Sequence, residues 1–173
     1  MAVTINGTGP ITGLTTIDSP TTINGLTIPT TSFGKVLQIV LATDATYRST
    51  TSTSFVDAGL SVTIIPQKST SKLLLIYSGS GLTVRSSNGN GQGRLGISDS
   101  SNNLLSGRQE IGIYTQTSGQ LFSSPITCFA FIDAVSTSSQ TFKTRYTAVN
   151  TGNEINLQNS ECTSQLYAIE VSA

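Results

Sequence analysis

From Lys35 onward the apolar residues fall into short runs, some alternating with polar residues and some continuous. Each run is closed by Gly, Pro, Asn, Asp or Ser. No window long enough for a stable helix carries the 3.6-residue spacing together with caps. This pattern restricts the fold to strands. The expected strands are Lys35–Ala42, Thr51–Val56, Leu60–Ile65, Lys72–Ser78, Gly93–Ser98, Leu104–Tyr114, Pro125–Ala134, Thr141–Val149, Ile155–Gln158 and Gln165–Val171. They recur roughly every ten residues, which is the rhythm of a sandwich or barrel. Asp57-Ala58-Gly59 reads as a turn between two of them. The expected fold class is therefore all-β, a jelly-roll-like antiparallel β-sandwich. An immunoglobulin-type sandwich fits less well, because the chain has no Trp and no B–F cysteine pair.

The first 33 residues differ from the rest. They are nearly free of large side chains and contain an echo, Thr4-Ile5-Asn6-Gly7 returning as Thr22-Ile23-Asn24-Gly25. Asn-Gly is a turn signal between strand-forming Thr and Ile. Ile5, Ile11, Leu14, Ile17, Ile23, Leu26 and Ile28 recur through the segment, too regularly for a linker and too sparsely for a core. The expected organisation is an extended N-terminal arm over 1–33, docking on a neighbour through these residues, and a β-sandwich head over 34–173.

Composition decides between function classes. Charged residues are only 10% and the net charge is zero. An ordinary soluble domain carries about 25%, so part of this surface is expected to be covered in an oligomer. Nucleic acid is not an expected partner, since phosphate binding needs clustered cations and these are scattered. A membrane is not expected either: no run approaches the ~20 apolar residues of a spanning helix. The start Met1-Ala2-Val3-Thr4-Ile5-Asn6-Gly7 lacks the features of a signal peptide, so synthesis in a cytosol is expected.

Histidine is absent. That removes the commonest general base, the Ser/His and Cys/His nucleophile pairs and the main zinc ligand. No two of the nine carboxylates form a recognisable motif. An enzyme is not expected, and no cofactor, metal or catalytic residue is assigned. Cys128 and Cys162 read as buried small hydrophobes, with a disulfide as the lesser alternative in a reducing cytosol. Gly89-Asn90-Gly91-Gln92-Gly93-Arg94 has the glycines of a phosphate cradle, but a strand pattern rather than a helix follows it. It is expected to be a loop whose Arg85, Asn88, Asn90 and Arg94 are available to a partner or a glycan. Along Pro125–Ala134, Phe129 and Phe131 fall opposite Ile126, Cys128, Ala130 and Ile132, so both faces are apolar. Phe129 and Phe131 are the expected trimer interface.

Four consecutive strings carry a resemblance. They are Gly34-Lys35-Val36-Leu37-Gln38-Ile39-Val40, Thr53-Ser54-Phe55-Val56-Asp57, Leu60-Ser61-Val62-Thr63-Ile64-Ile65-Pro66 and Ser71-Lys72-Leu73-Leu74-Leu75-Ile76. Together they resemble a β-sandwich module of tailed-phage virion proteins, covering about residues 34–82; beyond that the likeness is compositional. Such modules occur as trimeric capsid decoration (cement) proteins and as distal domains of tail fibres and tailspikes. The resemblance implies a non-enzymatic homotrimer on the virion surface, made in the host cytoplasm, with the major capsid protein as partner. The arm, which spans ~110 Å at full extension, is too short for a stiff fibre shaft and suits a clamp on a shell. The other implied role is a short tail fibre or tailspike head that binds a host-surface glycan.

Overall fold

The structure, a computed structural model, describes residues 22–23, 26–27, 34–87, 89–106, 109–114, 119, 121–157 and 163–172. The chain divides into two compact units, Met1–Phe33 and Gly34–Ala173. In the first, β1 (Thr22–Ile23) pairs antiparallel with β2 (Leu26–Thr27), Ile23 opposite Leu26 across the Asn24-Gly25 step. Of the arm residues, Ile5, Ile11, Leu14, Ile17 and Ile28 lie outside the described residues.

The second unit consists of strands in two antiparallel sheets. They are β3 (Val36–Asp44), β4 (Arg48–Thr50), β5 (Val56–Ile64), β6 (Lys72–Arg85), β7 (Asn90–Ser98), β8 (Gln109–Tyr114), β9 (Leu121–Asp133), β10 (Gln140–Ala148), β11 (Glu154–Leu157) and β12 (Ser164–Val171). One sheet runs β5-β10-β7-β8. The other is organised around β6, which pairs with β9 along one side. On its opposite side β6 pairs first with β12, up to Ser78, and then with β11, from Leu82. A shift of register between Gly79 and Leu82 marks this change of partner. β3 lies beyond β12, and β4 beyond β11.

The period-two pattern becomes burial directly. β5 buries Ala58, Leu60, Val62 and Ile64 and exposes the residues between them; β12 buries Ser164, Leu166, Ala168 and Glu170 in the same way. Leu73, Leu75, Tyr77, Leu82 and Val84 of β6 face this layer, with Leu95 and Ile97 of β7 and Phe142 and Tyr146 of β10. Burying such side chains is the main driving force for closing the sandwich, at about 25 cal/mol per Å² of apolar surface. Three of the buried hydroxyls are paired inside it: Thr144 Oγ1 donates to the Leu60 carbonyl at 3.1 Å, and Tyr77 and Ser164 share a hydrogen bond of 3.1 Å. Cys128 is a free, buried thiol, and burial pushes its pKa up to about 12. It is packing material rather than a nucleophile. Cys162 lies outside the described residues.

Two differences from the sequence reading have local causes. Asp57-Ala58-Gly59 is no turn but part of β5. The Asp57 carboxylate still accepts from the Gly59 N–H at 2.6 Å, and Gly59 takes φ of +78°. This local kink is absorbed as a bulge, where the register against β10 shifts between Lys143 and Arg145. The Arg48 guanidinium fills the space a β-carbon on Gly59 would take; it donates to the Ala58 carbonyl at 2.7 Å and pairs with Asp44. Of Thr51–Val56, only Val56 is in a strand, as the start of β5: the polar residues before it bridge β4 and β5, and Ser52 and Ser54 hydrogen-bond to each other.

Candidate functional site

Sheets whose outer face meets water normally alternate apolar-in and polar-out. The β5-β10-β7 sheet does this. Its outward positions are Asp57, Ser61 and Thr63 on β5, Thr141, Lys143 and Arg145 on β10, and Gln92 and Arg94 on β7. Thr63 and Thr141 hydrogen-bond across the ladder at 2.8 Å. Lys143 Nζ holds the Ser100 carbonyl at 3.1 Å, and Arg145 holds Asn102 Oδ1 at 2.6 Å, so these cations serve the turn after β7.

The β3-β12-β6-β9 face does not follow this rule. Its outward residues align in rows across four strands. One row is Leu41–Tyr167–Ile76–Phe129, and the next is Ile39–Ile169–Leu74–Phe131. All eight are apolar or aromatic, and they stand on one face because each row is two residues from the next. The central four are half-buried by their neighbours. The outer four are open: Ile39 is 59% exposed, Leu41 48%, and Phe129 and Phe131 58% each. The one polar atom in the block, the Tyr167 hydroxyl, donates to Gln165 Oε1 at 2.7 Å and so turns to the rim. Polar residues bound the block fully at one end and in part at the other, where Val36 and Val171 carry the apolar surface on beside the ion pair. One end row is Thr43–Gln165–Ser78–Thr127; at the other, Lys72 forms an ion pair with Asp133.

A contiguous apolar patch of several hundred Å² marks a contact site on a soluble protein. With Phe129, Phe131, Ile39 and Leu41 each about half or more exposed, this block reaches that size. It also continues around the end of β9. Phe131, Ile132, Val135, Leu105 and Phe142 line an open hollow of about 550 Å³, with the carboxylates of Asp99 and Asp133 beside them. The Asn103 side chain and backbone N–H, both donating to Asp99, hold that carboxyl below its ordinary value.

The sequence singled out Phe129 and Phe131, and the structure puts both on this open face while Ile126, Cys128 and Ala130 turn inward. It missed Ile39, Leu41, Leu74, Ile76, Tyr167 and Ile169 as their companions. Those residues come from three other strands, and only the ladder register brings them into line. The signal was present in the continuous apolar runs of β3 and β6. The expected recognition loop is not assembled as drawn. Asn90 and Arg94 stand on β7 within the ladder, Arg85 ends β6 at 3.9 Å from Glu154, and Asn88 is outside the described residues. Gly93 belongs to β7 for a packing reason: a β-carbon there would sit 2.9 Å from Ile155 Cδ1, so glycine lets the sheets close at that point. Among the described residues, no group of three or more His, Cys, Asp or Glu could hold a metal ion, and no helix is long and apolar enough to cross a membrane. No protein-family model matches the chain, and no curated protein matches it.

Proposed function

We propose that the protein is a structural virion component: a capsid decoration protein whose jelly-roll heads form a homotrimer on the shell surface and whose N-terminal arm docks on the major capsid protein. The observation that carries an assembly role is the eight-residue apolar face, which is a poor surface to leave in water and offers no chemistry to a substrate. The jelly-roll reading is supported by nested pairing. β7 pairs with β8, β6 with β9, β5 with β10 and β3 with β12, all antiparallel. Folding one long hairpin and rolling it up gives this order, with β5-β10 and β7-β8 in one sheet and β3-β12, β4-β11 and β6-β9 in the other.

In this reading three arms bind the shell as one unit, so modest contacts per arm give a long-lived complex. Deleting residues 1–32 is expected to leave a folded head that no longer binds capsids, measured by co-sedimentation with undecorated shells. Retention of capsid binding by the truncated protein would remove the arm from the mechanism. Copy number on the particle tests the role itself: hundreds of copies per particle agree with decoration, a few with a fibre. The second reading, a short tail fibre or tailspike head that binds a host-surface glycan, is favoured by the hollow beside β9. Aromatic and aliphatic walls with carboxylates at the edge suit the two sides of a sugar ring. Binding of the free head to host cells, at low copy number on the particle, would select it.

A further inference from the structure

We propose that the apolar β3-β12-β6-β9 face is covered by the corresponding faces of the other two subunits, gathered around the trimer axis, and not by the shell. The inference rests on the assembly reading above and names the partner of its central surface.

Size supports it first. Four strands about 4.8 Å apart, carrying two apolar rows and two bounding rows about 7 Å apart, make a face of roughly 19 by 27 Å. That is on the order of 500 Å² in projection, and side-chain relief brings it towards the roughly 800 Å² per partner of a standard interface. Charge supports it second. The Lys72–Asp133 pair is the only charge on the face among the described residues, and it is self-neutralised. The face therefore offers no field to steer a charged partner, and its apolar rows complement the same rows of other copies. The contrast between the two sheets is the third support. The other outer face is polar, so a head that packed its apolar block there would strand Lys143, Arg145 and Asp57 against Leu and Phe. Like faces have to meet. Finally, a decoration protein has to remain in solution before it meets a shell. With charged residues at only 10%, it has little to keep an open apolar face soluble, so the face is closed before docking.

The test uses the full chain. Light scattering at tens of micromolar is expected to give a multiple of the 18.1 kDa subunit. The double substitution Phe129→Glu and Phe131→Glu, on exposed positions, is expected to weaken subunit association at least about 100-fold, with the strand circular dichroism unchanged. Thr63→Glu, on the polar face, is expected to leave the mass unaltered. If the double variant misfolds, Ile39→Glu on the far strand of the same face gives the same readout. A wild-type protein that stays a single subunit, or folded variants that keep the wild-type mass, overturns the inference. Undecorated capsids distinguish the two readings: a monomer that still decorates them ends this proposal and leaves the assembly function standing, whereas an oligomer that ignores them does the reverse.

Discussion

Replacing Glu170 by alanine is expected to destabilise the head by about 3–5 kcal/mol. Glu170 sits at an inward position of β12 and is fully buried. Its carboxylate accepts from the Gln67 N–H at 2.9 and 3.0 Å, from the Lys68 N–H at 3.2 Å and from Gln38 Nε2 at 2.6 Å. It thereby ties the segment between β5 and β6 to β12, while Gln38 also donates to the Ile65 carbonyl at 2.7 Å. Alanine would leave the Gln67 and Lys68 backbone donors without an acceptor and take from the Gln38 amide one of its two, and each unmet donor costs on the order of 1–3 kcal/mol. For a domain of this size the melting point is expected to drop by roughly 10–15 °C, readable by calorimetry. The same group sets an acid limit. Burial raises its pKa, but the hydrogen bonds from Gln38, Gln67 and Lys68 outweigh burial and hold it below the ordinary 4.5. A carboxylate lowered on folding contributes stability in full above its unfolded value and loses it as pH falls through the folded one. Urea midpoints are therefore expected to fall below about pH 4.5, and Glu170→Gln to flatten that fall. An unchanged acid slope in the variant would show that other carboxylates dominate.

Leu75→Ala is expected to cost about 3–5 kcal/mol, in the upper part of the range for core leucines. The cost depends on how far the surroundings can collapse, and here they cannot. Leu75 is fully buried, and its cross-strand neighbours are Ala168 on one side and Ala130 on the other. The variant would place three alanines in a row and leave a trough that no adjacent side chain can fill. Denaturant unfolding is expected to show a lower midpoint at an unchanged m-value. A loss below about 1.5 kcal/mol would mean that the opposite sheet closes onto the site.

The elements that were legible in the sequence are those whose patterning is local. In β10, Phe142, Thr144, Tyr146 and Ala148 alternate in the sequence and are buried in the structure, joined only by Thr147. β12 and the latter half of β5 follow the same logic. What escaped was set by tertiary pairing. β6 continues to Arg85 through Ser78-Gly79-Ser80-Gly81, residues that ordinarily end a strand, because β9 pairs along nearly its whole length. Asp57-Ala58-Gly59 kept its turn chemistry yet stayed in a strand, held by β10 on one flank and Arg48 on the other. The exposed apolar face was half legible. Period two shows that Phe129 and Phe131 turn away from the core, but it cannot show which residues of distant strands lie beside them.

The pairing of β3 with β12 also has a consequence for how the molecule is made. Val36 and Val171 are partners, and Lys35 and Ser172 are joined by hydrogen bonds in both directions, at 2.8 and 2.9 Å. The earliest strand of the head to leave the ribosome thus waits for the latest before its ladder can form. Until then its Ile39 and Leu41 have neither a neighbour in the sheet nor a cover. Strand pairing across so long a stretch of chain is slow, and an unfinished copy exposes sticky edges throughout the delay. Growth conditions that slow synthesis should therefore favour aggregation over yield, independently of how stable the finished molecule is.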